Sequence, residues 1–299
     1  MLVIGSRGSQ LALWQSRWVS AELALLGYET RIEIIHTTGD KITDVPLSKV
    51  GTKGLFTKEL EEALLAKSIH LAVHSLKDMP TTLPPGLTLA AIPVREDPRD
   101  AVVGCRIADL PQAARVGTSS LRRAAQLRQH RPDLIIESIR GNVDTRLRKQ
   151  AEGQFAAIIL AAAGLRRLGW QDRIAELLEP GYMIPAVGQG ALAIETLTDG
   201  PGFDACKRMD DPATRCCVTA ERAVLAELGG GCQVPLGAYA TLSNDVLTVL
   251  AKVISPTSNT AFEGTVTGSP AMAAELGRQL GHQLLNAGAA EILREVYGA

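Results

Sequence analysis

The stretch Leu2-Val3-Ile4-Gly5-Ser6-Arg7-Gly8-Ser9, with the residues that follow it up to position 36, decides the fold. Its first three residues are an apolar run typical of a short buried strand, and the next five form a polar turn. From residue 11 to residue 26 apolar side chains recur at helical spacing, and Gly27 ends that run. Residues 30–36 predict a second strand. This strand–helix–strand order predicts a parallel sheet with right-handed crossovers.

A second α/β pattern follows the charged segment Arg95-Glu96-Asp97-Pro98-Arg99-Asp100, where the change in composition indicates a domain boundary. Short strands then alternate with helical runs up to residue 168, and residues 236–266 predict an antiparallel meander. The predicted fold class is therefore α/β, with two α/β domains and a smaller α+β C-terminal domain that contains a three-stranded antiparallel sheet. The predicted domains are residues 1–94 with 189–208, residues 98–186, and residues 211–299.

Composition excludes several classes of function. The chain of 299 residues is 46% hydrophobic and 21% charged, so it can bury sizeable cores. A net charge of −1 and only 4% aromatic residues disfavour binding to nucleic acid or to a membrane surface. Five cysteines without regular spacing predict a reducing compartment and no metal site. No apolar run approaches the roughly 18 residues of a membrane span. We expect a soluble cytoplasmic protein, and a monomer.

The cysteine stretch Gly229-Gly230-Gly231-Cys232-Gln233-Val234-Pro235 follows a predicted helix that begins at Asp211-Pro212. Glycines tolerate positive φ and let other groups approach the backbone closely. Two interpretations fit this stretch. Cys232 is either an accessible nucleophile or cofactor-bearing thiol, or a small buried thiol after a glycine C-cap.

Polar side chains follow two predicted strands of the first sheet. The strand at residues 69–73 runs into His74-Ser75-Leu76-Lys77-Asp78, and Arg7 and Ser9 follow the first strand. Ligands in such sheets bind where strands end and helices begin, so an acid/base role for Asp78 is one interpretation. A surface ion pair between Lys77 and Asp78, and a solvated turn at Arg7, are the alternatives. Residues 41–54, with Lys49 and Lys53, predict a long loop.

Half of the chain's arginines fall between residues 115 and 173. In the simplest interpretation, some of these arginines form a solvated basic face. Arg122-Arg123, however, opens a predicted helix, where cations oppose the helix dipole. The turn Gly117-Thr118-Ser119-Ser120 before that helix offers backbone N–H groups and hydroxyls to an anion. The arginines therefore favour a ligand with several carboxylates or phosphates, with which guanidinium groups pair bidentately.

The segment Pro185-Ala186-Val187-Gly188-Gln189-Gly190-Ala191 contains a weak match to a dinucleotide-binding pattern. The apolar run comes after the glycines and no clear helix follows them, so the context is wrong for that pattern. We interpret the segment as a turn before a strand at residues 191–196 that returns to the first sheet.

Taken together, these motifs resemble those of the porphobilinogen deaminase (hydroxymethylbilane synthase) family, from residue 4 to the C-terminal helices. No position with a chemical assignment departs from the family pattern. The motifs that carry the resemblance are Ser6-Arg-Gly-Ser-Gln-Leu-Ala, Lys53-Gly-Leu-Phe-Thr-Lys-Glu-Leu-Glu, Val73-His-Ser-Leu-Lys-Asp-Met-Pro, Val116-Gly-Thr-Ser-Ser-Leu-Arg-Arg, Arg140-Gly-Asn-Val-Asp-Thr-Arg-Leu, Pro185-Ala-Val-Gly-Gln-Gly-Ala and Gly230-Gly-Cys-Gln-Val-Pro.

The resemblance implies a transferase of tetrapyrrole biosynthesis, which leads to heme and chlorophyll. Such an enzyme condenses four porphobilinogen molecules head to tail onto a dipyrromethane primer and releases ammonia and hydroxymethylbilane. The primer is a cofactor joined by a thioether to the cysteine that matches Cys232. The first two domains are implied to resemble the halves of periplasmic binding proteins.

The resemblance also implies roles for individual residues. Asp78 matches the catalytic aspartate. The residues implied to bind the cofactor are Cys232, Ser75, Lys77, Asp78, Thr118, Ser120, Arg122, Arg123, Arg140, Arg146 and Gln189. The residues implied to bind substrate are Arg7, Ser9, Lys49, Lys53, Phe56, Arg140, Arg146 and Arg167, and for Phe56 a place in the core is an equal alternative.

Two rival functions remain at this point. Two α/β domains could bind a small polyanion without chemistry, but such a binding module has no need for the Cys232 loop. An NAD-dependent enzyme has only the weak match at Gly188 in its favour.

Overall fold

A computed structural model of the chain describes residues 1–41, 55–230 and 234–297. Residues 42–54 of the predicted loop, with Lys49 and Lys53, lie outside the described residues, and so does the predicted cofactor cysteine Cys232. Over the described ranges, no helix is long and apolar enough to cross a membrane.

The chain packs into two compact units. Unit 1 comprises Met1–Glu96 and Ala191–Arg215, and unit 2 comprises Asp97–Gly190 and Cys216–Ala299. The second predicted domain falls within unit 2, and so does the third apart from residues 211–215. The predicted division into three domains, with its boundaries, stays a prediction.

The secondary structure alternates strands and helices up to residue 197. The strands are β1 (Leu2–Ser6), β2 (Thr30–Ile34), β3 (Leu71–Ser75), β4 (Leu87–Ala91), β5 (Asp100–Gly104), β6 (Arg115–Gly117), β7 (Ile135–Glu137), β8 (Ala157–Ala161), β9 (Ile174–Leu178), β10 (Leu192–Leu197), β11 (Leu236–Ser243), β12 (Val246–Ile254) and β13 (Ala261–Gly268). The helices are α1 (Gln10–Leu25), α2 (Thr38–Lys41), α3 (Lys58–Leu65), α4 (Leu121–His130), α5 (Val143–Ala151), α6 (Ala162–Arg167), α7 (Pro201–Cys206), α8 (Pro212–Glu227), α9 (Ala273–Leu284) and α10 (Ala290–Tyr297).

Unit 1 contains a five-stranded sheet in the order β2-β1-β3-β10-β4. Strands β1, β2 and β3 are parallel, whereas β10 runs antiparallel to both of its neighbours. This confirms that the strand after the Gly188 turn joins the first sheet. The carboxyl ends of β1 and β3 meet at one edge of the sheet because neighbouring parallel strands point the same way.

Unit 2 contains a second five-stranded sheet of the same plan, in the order β7-β6-β8-β5-β9. Here β6, β7 and β8 are parallel, and β5 runs antiparallel between β8 and β9. The sequence analysis did not predict β9. This strand pairs with a single neighbour at the sheet edge and is mostly half-buried, so it lacks the apolar run of a buried strand.

The remainder of unit 2 is a three-stranded sheet, β11-β12-β13, packed on helices α8 and α9. All pairings in this sheet are antiparallel, which confirms the predicted meander and the predicted fold class. Asp211 caps α8 as predicted, because its carboxylate accepts a hydrogen bond of 2.7 Å from the Thr214 N–H. Gly288, at φ 121°, separates α9 from α10.

Helices α8 and α9 approach each other closely at Gly277. A Cβ atom at this position would lie 2.2 Å from the Ala220 carbonyl oxygen. Because that atom belongs to the backbone of α8, the two helices would have to move apart to admit a methyl group.

We predict that Gly277→Ala lowers the free energy of unfolding. Overpacking costs about 1–3 kcal/mol, which outweighs the roughly 1 kcal/mol that alanine gains in helix propensity. Gly181→Ala is the matched control, because a Cβ at Gly181 meets nothing within 4 Å. Urea denaturation measures both variants. Equal stability of the two would contradict the close approach of α8 and α9.

Candidate anion-binding and catalytic site

Arg7 follows β1 at the carboxyl edge of the unit 1 sheet. Its guanidinium carbon lies 4.2 Å from the centre of the Phe56 ring, a distance at which a cation is attracted to an aromatic face. Ser9 caps helix α1, and its hydroxyl accepts a hydrogen bond of 3.2 Å from the Ala12 N–H. Arg7 and Phe56 thus form a cationic, partly apolar surface, while the Ser9 hydroxyl has a structural task at the helix terminus.

Asp78 lies at the end of a short 3₁₀ helix, Leu76–Asp78, directly after β3. Leu76 and Met79 are each 1% exposed, and they anchor the segment on both sides of the exposed Asp78. The Leu76 N–H donates to the Ala191 carbonyl at 3.0 Å, and Ser75 accepts a hydrogen bond of 2.9 Å from the Gln15 side chain. An exposed carboxylate is therefore held on a firmly packed turn, with Lys77 as its neighbour in the chain.

In unit 2, helix α4 begins just beyond the carboxyl end of β6. Ser120 is its N-cap and accepts a hydrogen bond of 3.4 Å from the Arg123 N–H. Thr118 is 4% exposed, and its hydroxyl accepts a hydrogen bond of 3.2 Å from the Ser120 N–H. The helix dipole makes this terminus partly positive, so it attracts an anion.

Arg122 and Arg123 are almost completely buried beside a fully buried carboxylate, Asp100. Arg122 donates to both carboxylate oxygens of Asp100, at 2.7 and 3.2 Å, and Arg123 donates to one of them through Nε at 2.8 Å. Gln189 donates to the same oxygen at 2.9 Å. Burial alone would raise the pKa of Asp100, but the two guanidinium groups hold that pKa well below its usual range.

Arg140 and Arg146 extend this cationic cluster. Atom Nη1 of Arg140 is buried and, among the described residues, has no hydrogen-bond partner. Burial, together with the like charges of Arg123 and Arg140, lowers the pKa of Arg146 to about 10. Arg146 donates to a backbone carbonyl, that of Gly141, at 2.8 Å. These cations repel one another, so an anion bound beside them would be stabilised.

Arg167 contacts the turn that contains Gly188 and Gly190. Its guanidinium donates to the Gly190 carbonyl at 2.7 Å and is 9% exposed. Glu221 supports the same turn, because its carboxylate accepts hydrogen bonds from the N–H groups of Gly188, at 2.7 Å, and Ala240, at 2.9 Å. The Gly188 turn is therefore held by buried side chains, with Gly188 and Gly190 at positive φ.

Helix α8 ends before the cysteine stretch in a Schellman motif. The Gly230 N–H donates to the Leu225 carbonyl at 2.7 Å, and the Gly229 N–H donates to the Ala226 carbonyl at 3.2 Å. Both glycines have positive φ, 97° for Gly229 and 69° for Gly230. This confirms the predicted glycine C-cap.

The structure brings most of the predicted residues of unit 2 into one cluster: Thr118, Ser120, Arg122, Arg123, Arg140, Arg146 and Gln189. The sequence analysis missed Asp100 and Glu221. A buried carboxylate leaves little mark in a sequence, although an acidic residue at the start of an apolar strand, as in Asp100-Ala101-Val102-Val103, is a usable signal. Among the described side chains, no group of His, Cys, Asp and Glu could hold a metal ion.

Comparison with known proteins gives consistent matches over nearly the whole chain. The family model described as "Porphobilinogen deaminase, dipyromethane cofactor binding domain" matches residues 2–203, and the model described as "Porphobilinogen deaminase, C-terminal domain" matches residues 215–286. A porphobilinogen deaminase of Syntrophobacter fumaroxidans is 53% identical over 302 residues, which cover 99% of this chain and 98% of that protein. A porphobilinogen deaminase of Roseiflexus castenholzii is 51% identical and covers 98% of each chain.

Among solved structures, this chain is similar to a periplasmic substrate-binding protein of an ABC transporter from Coxiella burnetii. The match covers 70% of this chain and 91% of that protein. The TM-score is 0.44 and the sequence identity is 11%. This likeness is distant.

The hydrogen bonds of Arg140 and Arg131 predict that replacing each of them changes the free energy of unfolding differently. In the Cys232→Ser background, Arg140→Leu removes a guanidinium group whose buried Nη1 has no hydrogen-bond partner among the described residues. It should leave the free energy of unfolding unchanged or raise it by up to about 1 kcal/mol. Arg131→Leu should lower it by about 1–3 kcal/mol, because Arg131 donates to the carbonyls of Ile107 and Leu110 and to the Asp133 carboxylate. Urea denaturation measures both; equal losses would show that Arg140 has a structural task.

Proposed function

The chain belongs to the porphobilinogen deaminase family, and we propose that side chains of each unit take part in its catalysis and in its binding of ligands. The chain is a transferase of tetrapyrrole biosynthesis. It condenses four porphobilinogen molecules head to tail on a dipyrromethane cofactor and releases ammonia and hydroxymethylbilane.

The observation that carries the proposal is the buried, unpartnered Nη1 atom of Arg140 beside Arg146, whose pKa is lowered by burial and by neighbouring cations. Such a cluster requires an anionic partner. Porphobilinogen bears one acetate and one propionate side chain, so a dipyrromethane made from it presents several carboxylates. The residues present therefore fit this cofactor, because arginine pairs with carboxylates in a bidentate geometry.

When bound, the cofactor supplies the terminal pyrrole to which the first substrate unit is joined. In our proposal its carboxylates are bound by cations and by hydroxyl donors at the N-terminus of α4. The residues proposed to hold it are Ser75, Lys77, Asp78, Thr118, Ser120, Arg122, Arg123, Arg140, Arg146 and Gln189. A primer held in one orientation makes each coupling effectively intramolecular.

The incoming porphobilinogen is proposed to bind through a second set of cations. Arg7 is well suited to this task, since its guanidinium lies over Phe56 and can offer its outer edge to a carboxylate. The other residues in this proposal are Ser9, Lys49, Lys53, Phe56, Arg140, Arg146 and Arg167. Ser9 caps α1 as an acceptor, and a hydrogen bond to a substrate carboxylate would use its hydroxyl hydrogen.

Asp78 is proposed as the catalytic residue. Loss of ammonia from the substrate and each coupling step produce cationic species, and each coupling releases a proton. The Asp78 carboxylate, held between the buried Leu76 and Met79, can stabilise those cations and take up the proton. A positioned group of this kind contributes about 10²–10⁴-fold to a rate.

Cys232 is proposed to anchor the cofactor permanently through a thioether rather than to turn over as a nucleophile. The Schellman motif at Gly229 and Gly230 supports this, because it ends α8 shortly before the cysteine in the chain. A pure binding module would need no such thiol. Placement in the cytoplasm and a monomeric state stay predictions.

Intact mass tests the anchor. The purified protein is expected to exceed the mass of its sequence by two pyrrole units, because the cofactor is covalent. The excess should disappear in Cys232→Ser and persist in Cys105→Ser, the matched control. An unmodified mass in protein that turns over porphobilinogen would refute the assignment of Cys232.

Asp78→Asn is expected to keep the two-pyrrole excess mass but to lower turnover by about 10²-fold or more, because the amide cannot take up a proton. Asp204→Asn is the control, since Asp204 is an exposed aspartate that pairs with Lys207 on the surface of the same unit. Rates of hydroxymethylbilane formation measure the effect. Near-normal turnover in Asp78→Asn would exclude a catalytic role.

A further inference from the structure

We propose that Asp100 is a positioning residue for the reaction: it holds Arg122 and Arg123 in the orientation in which they bind carboxylates of the growing pyrrole chain. This inference rests on the proposed function, because it assumes that these two arginines face the cofactor or its extension. It assigns a task to a buried carboxylate that carries no acid/base chemistry.

Topology brings Asp100 to the ligand-binding edge of its sheet. Asp100 is the first residue of β5, which runs antiparallel between β8 and β9. A strand that runs antiparallel to both of its neighbours begins at the edge of the sheet where those neighbours end. At that edge of a parallel sheet, ligands bind. Asp100 therefore lies beside the N-terminus of α4, which follows the end of β6.

Both oxygens of Asp100 take part in fixing the arginines. Oδ2 accepts from Arg122 Nη1 at 2.7 Å, and Oδ1 accepts from Arg122 Nη2 at 3.2 Å. Oδ1 also accepts from Arg123 Nε at 2.8 Å and from Gln189 Nε2 at 2.9 Å. The carboxylate is fully buried, so water does not compete for these hydrogen bonds. One carboxylate therefore orients both guanidinium groups, together with backbone carbonyls: Arg122 Nη1 also donates to Ile184 at 2.6 Å, and Arg123 Nη1 donates to Ile159 at 3.0 Å.

The carboxylate orients the arginines without neutralising them. One negative charge faces two guanidinium groups, and Nε of Arg122 is buried with no partner among the described residues. Arg123 in turn contributes to the lowered pKa of Arg146. Positive charge therefore remains for an anion, which a network that served packing alone would not need.

The neighbouring Asp97 shows the contrast. It also pairs with two arginines, Arg99 at 2.8 Å and Arg166 at 2.9 Å, and Arg99 pairs further with Glu179. This second network holds two carboxylates for two guanidinium groups and is balanced. Asp97 lies three residues from Asp100 in the chain, and it has no proposed part in the reaction. Asp97→Glu is therefore a matched control for Asp100→Glu.

The test compares Asp100→Glu and Asp97→Glu with the unmodified enzyme, each as purified holoenzyme. The added methylene keeps the charge of Asp100 but displaces the arginines that it holds. A misplacement of about 1 Å in a catalytic site can cost about 10²-fold. We expect turnover of Asp100→Glu to fall at least about 10-fold below that of Asp97→Glu.

Intact mass after a limiting pulse of porphobilinogen provides a second measurement that a merely structural role would not change. We expect Asp100→Glu to contain unmodified protein or to accumulate one substrate-bound intermediate, whereas Asp97→Glu shows the distribution of the unmodified enzyme. Thermal unfolding should give melting temperatures within a few degrees for the two variants.

Two results would overturn the inference: equal turnover and equal mass distributions in both variants, or failure of Asp100→Glu alone to fold, which would indicate a purely structural task. A different result would reject the proposed function itself. If the unmodified enzyme carries no two-pyrrole excess mass, the assignment of the cofactor site fails, whatever Asp100→Glu does.

Discussion

The unit 2 site depends on one buried electrostatic constraint, the pairing of a single carboxylate with two guanidinium groups. Burying Arg122 and Arg123 without a counter-charge would be costly, and full neutralisation would leave no attraction for an anionic ligand. Asp100 supplies one counter-charge to the two arginines, so their positive charge is only partly neutralised. Arg140 also keeps a buried nitrogen with no partner among the described residues. In the proposed function, stability is given up there and affinity for carboxylates is gained.

Both five-stranded sheets have the same topological feature beside their proposed site residues. In each, one antiparallel strand is inserted among parallel ones, β10 in unit 1 and β5 in unit 2. The start of such a strand lies where its parallel neighbours end. In unit 1 the residue before β10, Ala191, accepts a hydrogen bond from the Leu76 N–H and so supports the turn that bears Asp78. In unit 2 the first residue of β5 is Asp100 itself.

Local patterns were sufficient to predict much of this. The apolar runs and helical spacing predicted the strands and helices around residues 2–36, and the alternation in residues 236–266 predicted the meander. The Asp211 cap and the Gly229 C-cap could also be predicted, because caps depend on residues within one turn of the chain. Strand β9 could not, since it is half-buried and is stabilised by pairing with β5, about 70 residues earlier.

The sequence by itself determined the family, the α/β class, and the residue types of the proposed site: an aspartate after a predicted strand, clustered arginines and a cysteine after glycines. Only the tertiary structure decided which arginines are paired and which are not. Arg122, Arg131 and Arg140 look alike in the sequence, yet Arg122 pairs with Asp100, and Arg131 pairs with Asp133 and backbone carbonyls. Among the described residues, Arg122 and Arg140 each keep one buried nitrogen without a partner. The reason is physical. A charge takes its energy from what lies within a few ångströms, and those neighbours come from distant parts of the chain.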